Sequence, residues 1–300
     1  MSGGSTVDRA RTANPAGTAS TPAARRAASR RRRLTALRLA AALAVTAVMF
    51  FPLYWMVVTA FSTRQSLYAP GLQLWPSDLT LANFLDPFRR FPVDRWFRNS
   101  LVIATLVTVI TVTVNLLAGY AFAKLPFRGR AVLFLVLLST MMIPVQAIMV
   151  PQFDLVIDLG LYGSVWAVVL PTSATVFGIF LARQFFLAIP DELLEAARVD
   201  GATTTRAFVS IVLPIARPGM AVLGMLTFMA AWNDFFWPII ALDSSSPTVQ
   251  VALNNLGGGY VPDQSVVMAG TLVGTLPVIV AFVLLGRQVV SGITAGAVKG

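Results

Sequence analysis

A chain of 300 residues that is 56% hydrophobic and 12% charged is no ordinary soluble domain, in which charged residues make up about 25%; it is an integral membrane protein. With no Cys and no His, it lacks thiol chemistry, histidine general bases, disulfides and the usual zinc ligand sets, so carboxylates and hydroxyls alone remain for catalysis. The net charge of +10 is mostly local, because eight Arg against Asp8 in residues 1–33 supply +7 and leave +3 for the rest.

Residues 1–33, built from Arg with Ala, Ser, Thr, Pro and Gly, cannot bury a core and are expected to form a disordered basic cytoplasmic tail. Beside a membrane such a tail fixes topology and touches anionic lipid, with no role in nucleic-acid binding. The apolar run after it is longer than the core of a signal peptide and offers no cleavage site, so residues 34–61 read as a retained first span. Uncharged runs of the roughly 20 residues needed to cross a bilayer lie at 39–61, 99–123, 131–153, 159–182 and 264–286. A further run, 218–240, contains Asp234 and has Arg217 at its edge. The expected architecture is all-α and polytopic, with six transmembrane helices.

Topology follows from Lys and Arg. An inside amino terminus puts 18 of the 23 basic residues in the cytoplasm, the exceptions being Arg64, Arg89, Arg90, Arg95 and Arg98 in the first external loop. Both termini are then expected inside a plasma-membrane, multi-pass protein. Prolines 52, 144, 151, 171, 214, 218 and 277 predict kinked helices.

Between the fourth and fifth spans, IPDELLEAARVDGATTTRAF has the chemistry of a short helix. Pro190 suits a helix start, Asp191 and Glu192 favour the positive end of the dipole, and Gly201 can take the left-handed conformation that ends it. Thr203 or Thr204 can cap a helix near Arg206, and Pro214 and Pro218 bend the chain as it re-enters the membrane. Ala196 and Ala197 have little bulk and Glu195 offers one charge, which fits docking into a groove; an interfacial amphipathic helix with solvated charges is the plainer alternative.

Glu195, Ala196, Ala197, Asp200, Gly201, Ala202, Phe208, Ile211, Leu213, Pro214 and Pro218 resemble the EAA signature of binding-protein-dependent ABC importer permeases. The end SGITAGAVKG, the stretch WNDFFWP at 232–238 and the KLPFRGR loop at 124–130 are similar to the smaller membrane subunit of maltose-type carbohydrate importers. The resemblance implies a type I ABC importer permease (MetI-like) fold over 34–300, with a coupling helix at about 189–205 and a carboxyl-terminal cytoplasmic tail at 287–300. It also implies partners: a second homologous permease subunit that completes the pore, two ATPase subunits that carry ATP and Mg, and an extracytoplasmic solute-binding protein. Glu195, Ala196, Ala197, Asp200 and Gly201 would couple the chain to the ATPase: Glu195 would pair with a basic ATPase residue, Ala196 and Ala197 would fill its cleft, and Gly201 would make the turn. Thr294, Ala295, Gly296 and Lys299 in the tail would reach the ATPases.

The chain itself has no G-x-x-x-x-G-K-[ST] pattern and is expected to bind no nucleotide, cofactor or metal and to catalyse nothing. Gly257, Gly258 and Gly259 form either an ordinary turn or a loop toward the binding protein. Asn233 and Asp234 are candidates for an outer gate or pore, with Trp232 and Trp237 beside them as an alternative aromatic belt, and Asn115 suits helix-to-helix contact. The resemblance favours a sugar, although glycerol phosphate importers share the signature. A self-contained secondary transporter would need a coupling-ion site, for which Asp234 alone is thin support.

Overall fold

The computed structural model describes the backbone of residues 22–71, 74–258 and 263–297, with side chains except those of 22–30, 32 and 289–297. Two compact units divide between Trp55 and Met56. Helix α1 (Pro22–Phe61) begins in the first and ends in the second. Within the first unit, Phe51 stacks on Trp55 with ring centroids 6.2 Å apart. The helical backbone begins at Pro22, so the tail expected to be disordered to residue 33 is helical over its last part. PAARRAASRRRR contains strong helix formers and no interior breaker, and it extends the span that follows.

The second unit continues with α2 (Arg64–Leu67), α3 (Ala82–Arg90), α4 (Val93–Lys124), α5 (Arg130–Ser139), a 3-10 turn (Thr140–Met142) and α6 (Val145–Asp158). Next come α7 (Val165–Val169), α8 (Val176–Leu187), α9 (Asp191–Val199), α10 (Thr204–Ala207), a π-helical turn (Phe208–Val212) and α11 (Leu213–Ile215). The unit ends with α12 (Arg217–Asn233), α13 (Phe236–Ala241), α14 (Val249–Gly257) and α15 (Gln264–Ala297). Among the described residues there is no strand, only an isolated bridge between Ser62 and Leu79.

Three helical stretches are long and apolar enough to cross a membrane: Arg33–Phe61, Val93–Lys124 and Gln264–Gln288. Two further candidates are bent pairs, Arg130–Met142 with Val145–Asp158 at 98° and Thr204–Ile215 with Arg217–Asn233 at 78°. The prolines explain both. Pro144 lies at the first break, and Pro214 and Pro218 flank the second, each lacking an amide proton for the helical ladder. Length and composition thus support three to five spans, short of the six expected.

The run at 159–182 departs most from expectation. Residues 159–164 form a turn, with Gly160 and Gly163 at positive φ, and the helix then breaks again between Val169 and Val176. Pro171 removes one donor there, and Thr172 Oγ1 bonds the Val168 carbonyl at 2.8 Å. In an apolar span the freed peptide groups need partners within the protein, and α4 supplies them. Asn115, fully buried, accepts from the Thr175 amide at 3.1 Å and donates to Thr175 Oγ1 at 2.9 Å. Thr111 donates to the Thr172 carbonyl at 2.8 Å. Asn115 is therefore the helix-to-helix contact expected of it.

Helix α4 forms the spine. It packs against α8, α12, α7 and α14, and α12 packs in turn on α15. The α4–α8 contact is close because Gly119 has no side chain: a Cβ there would lie 2.6 Å from the Ala182 Cβ and 2.9 Å from the Arg183 nitrogen. At the carboxyl end, α15 continues to Ala297, so residues 287–297 of the segment expected as a cytoplasmic tail are helical.

Replacing Asn115 with Leu keeps the bulk but strands the Thr175 amide, at a cost of about 1–3 kcal/mol for an unpaired buried group. The unfolding midpoint in detergent is expected to fall for Asn115→Leu, and an unchanged midpoint would show that the break is held by other means.

Candidate functional site

The segment singled out by the sequence folds as a helix, a turn and a second helix start. Pro190, at φ −58° and ψ 138°, precedes α9, whose first turn carries Asp191 and Glu192 and whose last carries Arg198. The end closes through Ala202 N–H to the Ala197 carbonyl at 2.9 Å and Gly201 N–H to the Arg198 carbonyl at 3.0 Å. Gly201 sits at φ +79° with open space around its Cα, so the left-handed backbone alone calls for glycine. Thr203 then caps α10, its hydroxyl accepting from the Arg206 amide at 3.3 Å.

The two faces of α9 have different partners. Leu194 and Ala197 are buried in an apolar cluster with Tyr120, Phe186 and Phe208, whose rings meet at 4.5 Å (Tyr120–Phe208), 5.8 Å (Tyr120–Phe186) and 6.1 Å (Phe186–Phe208). Glu192, Leu193, Glu195, Ala196, Val199 and Asp200 are exposed, Val199 at 87%. Ala197, expected beside Ala196 on a docking face, is thus turned into the chain's own core. Adjacent helical residues point about 100° apart, so the two alanines cannot share one narrow face. The exposed apolar partner of Ala196 is Val199, three residues on, which the helical spacing would have revealed.

An ion pair ties α9 to the spine. The Lys124 side chain is 4% exposed, and its ammonium donates to the Ile189 carbonyl at 2.6 Å and to Asp191 Oδ1 at 2.5 Å. That hydrogen bond, and then the ammonium's charge, hold the Asp191 carboxyl below the usual carboxylate range. A depressed carboxylate favours the folded state above its ordinary pKa and loses that contribution as pH falls through the lower value, so at neutral pH the Asp191 carboxylate is ionised. Lys124 lies at the last turn of α4, at the end of that helix opposite the one where Ser100 accepts from the Val249 amide at 2.8 Å.

Between these ends lies a cavity of about 400 Å³, walled by α4, α7, the break after it, α8 and α12, with Asp234 on its lining. Asp234 is half-buried, and its Oδ1 accepts from the Trp237 amide at 3.4 Å. Asn233, exposed, donates to the Met229 carbonyl at 2.9 Å and stands 3.5 Å from the Gln250 amide nitrogen. The neighbouring tryptophans form no exposed belt. Trp232 is 2% exposed and donates to the Gly274 carbonyl at 3.0 Å; Trp237 is 4% exposed and donates to the Ala167 carbonyl at 2.9 Å. They pin α12 to α15 and α13 to α7, since a buried indole N–H requires an acceptor.

Of the tail residues, Thr294, Ala295 and Gly296 fall on the α15 backbone, with side chains outside the described residues, and Lys299 lies outside the described residues altogether. Gly257 ends α14 and Gly258 caps it, while Gly259 also lies outside the described residues. Among the described residues no group of three or more acidic side chains is placed to hold a metal ion.

The family described as binding-protein-dependent transport system inner membrane component matches residues 115–291. Over 257 residues the chain is 34% identical to the arabinooligosaccharides transport system permease protein of Halalkalibacterium halodurans, covering 84% of this chain and 92% of that protein. Over 250 residues it is 34% identical to the lactose transport system permease protein of Rhizobium radiobacter, covering 83% and 90%. In the crystal structure of a bacterial ABC transporter involved in the import of the acidic polysaccharide alginate, one chain aligns with a TM-score of 0.77 at 21% identity, covering 86% of this chain and 97% of that one. This last likeness is one of fold.

The anchoring of α9 yields an expected outcome of its own. Lys124→Met leaves the Ile189 carbonyl without its buried donor, at a cost of about 1–3 kcal/mol, and releases Asp191 as well. Gly201→Val forces a left-handed β-branched residue at about 1–2 kcal/mol. Both variants should speed amide hydrogen exchange in α9 while leaving the middle of α4 protected; unchanged exchange in α9 would show that the aromatic cluster alone holds it.

Proposed function

The chain belongs to the family of binding-protein-dependent transport system inner membrane components, and on that premise we propose that it forms half of the translocation pore of an ATP-driven importer. Its cargo in this reading is a sugar or related solute, handed over by an extracytoplasmic binding protein; the relatives whose names specify arabinooligosaccharides and lactose support that class. A second, homologous permease subunit completes the pore and two separate ATPase subunits bind ATP and Mg. The chain itself catalyses nothing. It crosses the plasma membrane six times with both termini in the cytoplasm, α8 and the two bent pairs supplying the spans that no continuous helix does.

The observation that carries this reading is the division of labour on α9. Its outer face, with Glu195, Ala196, Val199 and Asp200, is exposed, while its inner face is fixed to α4, α8 and the π-helical turn through Tyr120, Phe186, Phe208 and Lys124. A push received outside is therefore delivered to the spans. Glu195 would meet a basic residue in the ATPase cleft, Ala196 would seat the helix there, and Gly201 would set the turn that presents it. Ala197 acts from within, holding the helix to its own subunit. Asn233 and Asp234 stand at the end of α12 nearest α14 and serve as the candidate outer gate or pore. A secondary transporter is less well supported, since Asp234 is the sole carboxylate on the described cavity lining.

Glu195→Arg, tested in liposomes containing the whole complex, should abolish ATP-driven uptake, because removing one partner of a buried ion pair costs about 3–5 kcal/mol; a reversal variant with normal uptake would argue against docking there. The single chain without its partners should transport nothing, and ATP-independent uptake by it would overturn the reading. Deleting 293–300, which holds Thr294, Ala295, Gly296 and Lys299, should leave the complex assembled but reduce ATP hydrolysis stimulated by the loaded binding protein. Unchanged stimulation would remove the tail from the mechanism.

A further inference from the structure

The break between α7 and α8 opens onto the same cavity as Asp234, and the hydrogen bonds around it fix what that wall offers a solute. Thr172 Oγ1 donates its proton to the Val168 carbonyl at 2.8 Å, and Thr227 Oγ1 donates its proton to the Leu223 carbonyl at 2.8 Å. A hydroxyl whose proton is committed to its own helix presents only lone pairs to a neighbour. Asp234 adds carboxylate oxygens. Thr175 Oγ1 accepts from Asn115 Nδ2 at 2.9 Å and from the Gly178 amide at 3.2 Å, which leaves its proton as a donor. The remaining lining is apolar, with the Phe177 ring half exposed, and includes no Lys or Arg.

We propose that this wall of acceptors, Thr172, Thr227 and Asp234, selects solutes that bring hydrogen-bond donors and no negative charge, namely neutral hydroxyl-rich molecules, and rejects phosphate- or carboxylate-bearing ones. The inference rests on the pore reading above and sharpens it. A sugar hydroxyl can donate to each of the three groups, and its ring can lie against Phe177, since a pocket of this size and apolar character takes its specificity from a few placed polar groups. A phosphate or carboxylate finds one donor, the Thr175 hydroxyl, and otherwise brings acceptors to acceptors and sets its charge beside Asp234. An unpaired buried polar group costs about 1–3 kcal/mol, more when charged, which corresponds to roughly tenfold or greater discrimination. The role assigned to Thr227 differs from a structural one, because its hydroxyl bonds only within its own helix among the described residues.

The test is ATP-driven uptake by the complete complex in proteoliposomes, with its own binding protein. The probes are arabinotriose, lactose and glycerol as neutral solutes, against galacturonate and sn-glycerol 3-phosphate as anionic ones. The neutral class should be carried at least about tenfold faster than the anionic one. Thr227→Val should lower neutral uptake about tenfold with unchanged assembly of the complex, and Asp234→Asn, which keeps one acceptor, should lower it less than Asp234→Leu. Equal or faster anion uptake by the unaltered protein, or full neutral uptake by Thr227→Val, overturns this inference and leaves the importer reading intact. Absence of ATP-driven uptake of every probe overturns the importer reading for this solute class and the inference with it.

Discussion

A peptide group left unpaired inside a bilayer has no water to turn to, and this constraint governs where the spans can break. Pro171 cannot donate and the chain around it does not stay helical, yet the break survives because Asn115 and Thr111 on α4 reach across to the backbone at Thr175 and Thr172. Those two polar side chains, buried in an otherwise apolar helix, make an irregular segment stable at membrane depth. The break they hold contributes Thr172 and Thr175 to the cavity lining.

A similarly small set of polar contacts acts where the chain leaves the apolar zone. Lys124, nearly buried, closes the end of α4 by meeting both a carbonyl and a carboxylate at the start of α9, and three aromatic rings fill the space beneath. Packed interiors are stiff because side chains interlock at crystal-like density, so α9, the lower part of α4, α8 and the π-helical turn form one continuous packed region. Displacing α9 without displacing the helices behind it would require tearing that cluster open.

Composition made the membrane character plain, and run lengths located the apolar stretches, because the roughly 20-residue requirement is a property of the bilayer rather than of the fold. The capping chemistry around Pro190, Gly201 and Thr203 was equally legible, since caps act through their immediate neighbours. Tertiary partners were not. Hydropathy counts 159–182 as one run, although a turn and a break divide it, because hydropathy registers side chains and the break is decided by whether Asn115 stands opposite. Trp232 and Trp237 look like interface residues in sequence and prove to be internal pins, as the carbonyls that receive them come from residues 42 and 70 positions away. That Ala196 and Ala197 face different ways was readable from helical angle alone.

The π-helical turn at Phe208–Val212 amounts to one residue more than an α-helix would use over the same rise. Each residue of an α-helix turns the chain by about 100°, so this surplus sets the angle at which everything before it is presented relative to α12. Losing a single residue there would allow an ordinary helix to form and would swing α10 and α9 about the axis by roughly that amount, carrying Phe208 away from Tyr120 and Glu195 to a different side of the molecule. The turn therefore works as a phase setting, through which the heading of an outer helix is stored in the count of residues rather than in their identity.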